Sequence, residues 1–319
     1  METLLLTQSD VRSLVTMESA VAAVEQAFAA HGRGEALMPP KVYIELAEHC
    51  GDFRAMPAYL AGAAGLKWVN CHPQNQARHG KPTVRGLYIL SDPSTAEPLA
   101  VLDATWLTAV RTGAAAAVAT KHLARSDART VGFIGTGVQA RTMLDALRVV
   151  LGPIEIVAAD SSKDTAESFV SDFGGRVGTL QEASACDIVC TATPSTTPIV
   201  ERDWIRPGTH LNAMGADAHG KQELDPQILQ EGLVVVDDVA QAQGSGEINV
   251  PLRERQIELE DLHASLGEVI AGLKPGRTSE DQITIFDSTG LAIQDVALAQ
   301  VIYEAARQQG MSRRIDFLA

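Results

Sequence analysis

The sequence predicts an α/β protein of two domains, and three observations carry that expectation. Its 319 residues exceed the usual span of a single hydrophobic core. Period-two apolar segments fill the stretch from Lys41 to Leu102, whereas from Arg129 onward strand patterns alternate with helical ones, as in a parallel sheet. Between these regimes, Arg129 to Leu151 places an apolar strand, a glycine turn and an amphipathic helix in that order.

Thr7-Gln8-Ser9-Asp10 ahead of Val11, Leu14 and Val15, and Met17-Glu18 ahead of Val21, Val24, Ala27 and Phe28, predict capped N-terminal helices. Short strands are then expected at Val42 to Ile44, Phe53 to Met56, Gly65 to Val69, Val84 to Leu90 and Leu99 to Leu102, separated by turn residues. A sheet lying ahead of the glycine turn is no part of a nucleotide-binding unit, so this domain is left to supply a substrate pocket and a subunit contact. The alanine-rich stretch Asp103 to Lys121 predicts a connecting helix carrying Arg111-Thr112-Gly113. Strands follow at 131–134, 154–159, 187–192, 209–214, 233–236 and 283–286, with Gln241 to Asn249 expected as a loop. Leu291 to Gln309 predicts a final helix, with Ile293, Val296, Ala297, Val301 and Ala305 on one face, returning to the first domain. The expected division is 1–117 with 291–319, an α+β dimerisation and substrate domain, against 118–290.

Gly135-Thr136-Gly137-Val138-Gln139-Ala140 reads G-x-G-x-x-A, directly after a strand and opening a helix. The first glycine permits the tight turn, the second lets backbone approach a pyrophosphate, and the small third residue lets helix pack on strand. The helix N-terminus then offers free N–H groups to phosphate. Asp160 ends the next strand, where an acid binds a ribose 2′-hydroxyl. Residues 118–290 are therefore expected to be a Rossmann-type dinucleotide-binding domain; a glycine turn that serves packing alone is the other reading. Asp160 favours NAD because its charge repels a 2′-phosphate, although Ser161, Ser162 and Lys163 leave some tolerance.

A net charge of −14 argues against a nucleic-acid or anionic-membrane surface. Met1 to Ala30 mixes acids with apolar positions and lacks a basic leading segment, so no secretory signal is expected, and no run approaches the ~20 apolar residues of a membrane span. Cys50, Cys71, Cys186 and Cys190 are scattered without histidine at ligand spacing. They read as reduced thiols of a cytoplasmic protein, with no metal expected; structural zinc is the alternative.

Arg54, Lys67 and Arg111 lie beside apolar residues, and a buried unpaired charge is costly. A bound carboxylate relieves that cost by charge-assisted hydrogen bonds; snorkelling to solvent relieves it equally well. Flanked by Leu66 and Trp68 with Arg54 near, Lys67 is expected to have its pKa lowered by desolvation and like charge. Asp217 follows the strand His210 to Met214 at the edge where open α/β sheets bind ligands, suited to general-base work or to a loop cap. Asp287-Ser288-Thr289-Gly290 precedes the final helix, where capping and ligand contact are both open.

The chain resembles the ornithine cyclodeaminase/μ-crystallin family along essentially its whole length. The most specific blocks are Met38-Pro39-Pro40-Lys41-Val42-Tyr43, Arg54-Ala55-Met56-Pro57-Ala58, Leu66-Lys67-Trp68-Val69-Asn70, Gly215-Ala216-Asp217, Gly246-Glu247-Ile248 and Thr284 through Leu291. The resemblance implies a homodimer acting on a small amino or keto acid. By matching positions it implies Lys67 and Asp217 as catalytic residues and Lys41 and Arg111 as ligands of the substrate carboxylate, with Arg54 expected on the same carboxylate and Lys67 also expected to bind substrate. Together with the glycine motif it implies NAD held by Gly135, Gly137, Val138 and Gln139 at the phosphates and by Asp160, Ser161 and Ser162 at the ribose. Arg111, Thr112, Met214, Gly215, Ser288, Thr289 and Gly290 complete the cofactor set. The cyclodeaminases carry glutamate where Arg54 stands, so the branch resembled most is the archaeal one that oxidises L-alanine to pyruvate and ammonia. Cyclic-imine reductase, ornithine cyclodeaminase and non-enzymatic NAD(P)H-binding protein are the rival expectations. The family's common Gly-Pro after the catalytic aspartate is Ala218-His219 here.

Overall fold

The computed structural model describes residues 2–60 and 62–317. The α/β expectation holds. The chain divides into compact units, Met1–Arg111 with Leu291–Ala319 and Thr112–Gly290.

In the first unit β1 (Glu2–Leu6) leads into helices α1 (Gln8–Leu14) and α2 (Met17–Gly32). Thr7 and Thr16 form the N-cap boxes with Asp10 and Ser19. The strands β2 (Ala36–Leu37), β3 (Val42–Leu46), β4 (Gly51–Leu60), β5 (Ala63–Cys71), β6 (Val84–Ser91) and β7 (Pro98–Asp103) follow, with α3 (Asn75–His79) between β5 and β6. They form an eight-stranded sheet with β1 and a terminal strand (Arg314–Asp316), antiparallel except where β1 pairs with β7.

Strands β4 and β5 run longer than Pro57 and Gly65 suggest. Pro57 is tolerated because β3 pairs with residues up to Ala55 and β2 resumes at Tyr59, so the missing N–H falls between partners. Gly65 is required by packing, since a Cβ there would meet the Tyr88 hydroxyl at 2.0 Å. The final helix (Ala292–Gln308) lies against α2, β4, β5 and β6.

In the second unit the sheet is all parallel, built from β8 (Thr130–Ile134), β9 (Glu155–Ala159), β10 (Arg176–Val177), β11 (Ile188–Thr191), β12 (His210–Ala213), β13 (Leu233–Val236), β14 (Leu262–Ser265) and β15 (Thr284–Asp287). Its order is β10-β9-β8-β11-β12-β15-β13-β14, which reverses direction between β8 and β11. Helix α4 (Ala104–Leu123) carries the division between units within it; after it come α5 (Val138–Leu151), α6 (Lys163–Phe173), α7 (Leu180–Ser184), α8 (Pro226–Glu231), α9 (Val239–Ser245), α10 (Asn249–Arg253) and α11 (Leu266–Ile270). Buried strands rich in Val, Ile and Leu, such as Val189, Leu211, Val234 and Ile285, form the core, as expected for a sheet covered on both faces.

The expected loop at Gln241 to Asn249 is corrected: helix α9 continues to Ser245 and α10 begins at Asn249. Asp238 caps α9 by accepting from Gln241 N, and alanine and glutamine carry the turn of helix that glycine counting alone discounts.

Candidate active site

Strand alternation sorts the first unit's sheet into two faces. Lys67 pairs across the ladders with Met56 and Tyr88, and Arg54 with Tyr43 and Val69, so these side chains share the face beneath the final helix. Lys67 is fully buried. Its Nζ donates to Asp295 Oδ1 at 2.9 Å and lies 2.7 Å from Oδ2. Arg111 Nε approaches Asp295 Oδ1 at 3.3 Å, while Nη1 donates to Gln294 Oε1 at 3.0 Å. Arg54 donates in parallel from Nε and Nη2 to Asp52, both at 2.8 Å, and its guanidinium lies 5.2 Å from the Tyr43 ring centre. Asp52 thereby fixes the direction of Arg54.

Burial pushes the Lys67 ammonium down to about 7, Arg111 and Lys41 push the same way, and Asp295 opposes them. The lowered value agrees with the sequence reading, but its neighbouring cation is corrected: Arg111 and Lys41 supply the like charge. Arg54 is tied to Asp52 instead.

The second unit gathers its candidates at the carboxyl ends of its strands. Gly135 has φ +86°, and a Cβ there would meet the Ala192 carbonyl beyond β11, so glycine is required at the reversal of strand order. Gly137 begins α5 without any side-chain cap, and nothing lies within 4 Å of where its Cβ would be. That leaves an open helix N-terminus, flanked by exposed Val138 and by Gln139, whose Oε1 has no hydrogen-bond partner. Asp160 accepts from Thr136 N and Oγ1 on one oxygen and from Ser161 Oγ and Ser162 N on the other. Burial works to raise its pKa, but these bonds hold it below the ordinary value, and it stays an anion. The residues present thus fit a dinucleotide: a cradle open to phosphate and a fixed carboxylate for a ribose. Thr112 sits on α4 beside Gly113, where α4 backs onto the Thr142 carbonyl.

Behind this edge lie four fully buried carboxylates that bind the loops to one another. Glu223 accepts from Thr191 Oγ1, Thr193 N and Oγ1, and Gly215 N, joining the ends of β11 and β12. Glu247 accepts from the N–H groups of Glu223 and Leu224, and Asp287 from those of Glu247 and Ile248. Asp237 accepts from the N–H groups of Thr289 and Gly290 and from Thr289 Oγ1. The capping reading of Ser288 to Gly290 is corrected by these bonds: the final helix has Leu291 at its N-cap without a side-chain bond, and the loop's donors turn to Asp237. Burial raises the pKa of Glu223 and of Glu247, and takes Asp287 to about 7.

Asp217, half-buried beyond β12, accepts from Lys221 Nζ at 2.5 Å. His219 Nε2 lies 3.3 Å from Arg253 Nη1. His210 is a core residue between Thr284 and Asn212, held neutral because burial takes it down to about 3. Sequence reasoning missed Asp52, Tyr88, Gln294, Asp295 and Asp237, and the loop-binding roles of Glu223, Glu247 and Asp287. Asp52 had a signal, since it stands two residues before Arg54 and strand alternation puts both on one face.

An all-parallel sheet with a glycine turn at its switch point, together with a first unit that buries Arg54, Lys67 and Arg111, defines a two-domain protein built to bind a dinucleotide. The chain belongs to the ornithine cyclodeaminase/mu-crystallin family, whose model matches residues 1–310. It is 52% identical to the alanine dehydrogenase of Archaeoglobus fulgidus over 99% of each chain. Among solved structures, it is similar to an archaeal alanine dehydrogenase dimer with bound NAD, at 53% identity, TM-score 0.96 and full coverage of both chains. It is also similar to the Δ1-pyrroline-2-carboxylate reductase of Thermococcus litoralis in complex with NADH and L-proline, at 38% identity, TM-score 0.92 and coverage of 97% and 98%.

Proposed function

We propose that this protein catalyses the reversible, NAD-dependent oxidative deamination of L-alanine to pyruvate and ammonia, as a cytoplasmic homodimer. The observation that carries the substrate is the end-to-end similarity to alanine dehydrogenase at 52% identity. The cofactor is supported by the open turn at Gly137 and the anionic Asp160. Bound NAD supplies the acceptor for the hydride on alanine Cα.

Arg54, Lys41 and Arg111 are assigned to the substrate carboxylate, with Arg54 held in direction by Asp52. Loss of hydride leaves the imino acid. Lys67, as a neutral amine, takes a proton from the water that adds to the imine carbon and returns it to nitrogen, so that ammonia departs. Its burial suits that duty, because an amine titrating near 7 reaches both forms at neutral pH. Asp217 is assigned the second proton transfer by its place in the family motif.

The homodimer is supported by the other face of the first sheet. Val42, Ile44, Trp68, Leu87 and Ile89 alternate with the buried set and remain 40–60% exposed. An apolar face of this kind suits burial against a second copy. Cys50, Cys71, Cys186 and Cys190 are free thiols, in keeping with the cytoplasm. Among the described residues no helix is long and apolar enough to cross a membrane.

The second reading, reduction of a cyclic imine carboxylate, is favoured by the likeness to the pyrroline-2-carboxylate reductase. Initial rates followed through NADH absorbance decide between them. Alanine, and pyruvate with ammonia, should turn over; turnover of pyrroline-2-carboxylate alone would overturn the assignment.

A further inference from the structure

The final helix delivers to the first sheet the one anion that contacts Lys67 among the described residues. Gln294 and Asp295 lie in its first turn, in the otherwise apolar run Leu291-Ala292-Ile293-Gln294-Asp295-Val296, and both are fully buried. Asp295 stands between two cations, with Lys67 Nζ at 2.9 Å from Oδ1 and Arg111 Nε at 3.3 Å from the same oxygen. Gln294 holds the other end of the Arg111 guanidinium through Nη1.

We propose that Asp295 is the positioning residue of the Lys67 amine, fixing where Nζ points and supplying the charge against which its ammonium forms. The inference rests on the reading of Lys67 as the proton carrier. A lysine on a strand has four rotatable side-chain bonds, and among the described residues Nζ makes no other hydrogen bond, so Asp295 determines its orientation.

The charged and titratable groups around Nζ come from every element packed there. Arg111 on α4 and Lys41 ahead of β3 disfavour the ammonium, as burial does, while Asp295 favours it. Tyr88 on β6 has a buried hydroxyl without a hydrogen-bond partner, and burial followed by the charge of Asp295 keeps it neutral. Met56 on β4 is apolar. Asp295 is therefore the single group in this set that works against a permanently neutral amine.

Two substitutions test the assignment on the intact dimeric enzyme. Asp295→Asn keeps the shape and removes the charge, so the limb of the pH–kcat/KM profile governed by Lys67 should move down by at least about one pH unit. A carbon-13 lysine titration, with the Lys67 signal identified through Lys67→Arg, should show the same movement and needs no substrate. Asp295→Glu keeps the charge but displaces it by a methylene; it should leave the limb in place and lower kcat by about tenfold or more. An Asn variant with unmoved limb and unmoved titration, or a Glu variant with normal kcat, overturns the proposal. If the Asn variant does not fold, the Glu variant decides. Should the unmutated protein prove inactive on alanine, the reaction falls while the titration still reports on Asp295.

Discussion

Lys67 occupies a position where nearly every neighbour either raises or lowers the cost of its charge, and its chemistry follows from that balance. Replacing it with alanine should reduce kcat by at least about 10²-fold while NADH binding, followed by fluorescence, stays near normal. Arg54 should behave differently. Arg54→Ala removes a charged partner and should cost about 2–5 kcal/mol in kcat/KM for alanine, and Arg54→Glu should abolish alanine turnover, since Asp52 would then face a second anion. Normal alanine kinetics in Arg54→Ala would remove that residue from the carboxylate site. At Asp160 two roles overlap. Its carboxylate is proposed to bind a ribose and also holds Thr136 and Ser162. Asp160→Ala should therefore narrow the preference for NAD over NADP and weaken both cofactors, a pattern read from the ratio of their kcat/KM values. Lys67 and Arg54 were legible in the sequence because a charge inside a strand of apolar residues asks for an explanation. Asp295 was not, because an acid in the first turn of a helix is ordinary there, and its burial depends on a partner distant in sequence.

At the scale of elements, the parallel strands were readable because burial on both faces demands continuous apolar runs, and their bounds follow those runs closely. The edge pieces β10 and β14 were not, being short and partly polar. The motif blocks around Gly246-Glu247 and Asp287 were legible as unusual but not for what they do. Their carboxylates hold loop N–H groups instead of facing a ligand. This arrangement carries a pH dependence. In the unfolded chain Asp287 loses its proton near the ordinary value of 3.8, whereas in the fold it keeps it until about 7. Between those values the unfolded state binds fewer protons, so unfolding becomes easier as pH rises. Asp287→Asn should lose about 1 kcal/mol at low pH from a weakened backbone bond and then flatten the decline toward neutral pH. Denaturant midpoints measured across that range, in mutant and unmutated protein, supply the comparison; identical slopes would mean that Asp287 is ionised in the fold.

For the whole molecule, the division of labour within one sheet matters most. Its buried face carries the charges, and its exposed face carries Val42, Trp68 and Leu87 in register across β3, β4, β5 and β6. A one-residue slip of any of these strands would exchange the two faces, so the same alternation that hides Lys67 also fixes which apolar side chains face outward, the surface proposed for docking. Trp68→Glu should disperse the dimer, read as a halved mass by light scattering, with the second unit still able to bind NADH. An unchanged mass would place the subunit contact elsewhere.

The return of the final helix has a consequence for how the chain is made. Lys67 and its carboxylate partner are 228 residues apart. On a ribosome every strand of the first sheet but the terminal one emerges early, yet the helix that covers it is among the last segments to appear. The second unit, continuous from Thr112 to Gly290, has every strand it needs before then. It is therefore the nascent chain's first finished body. Meanwhile the earlier-made sheet waits with the face its helix will cover still bare and its apolar outer face exposed, and that interval is when chaperones have most to hold.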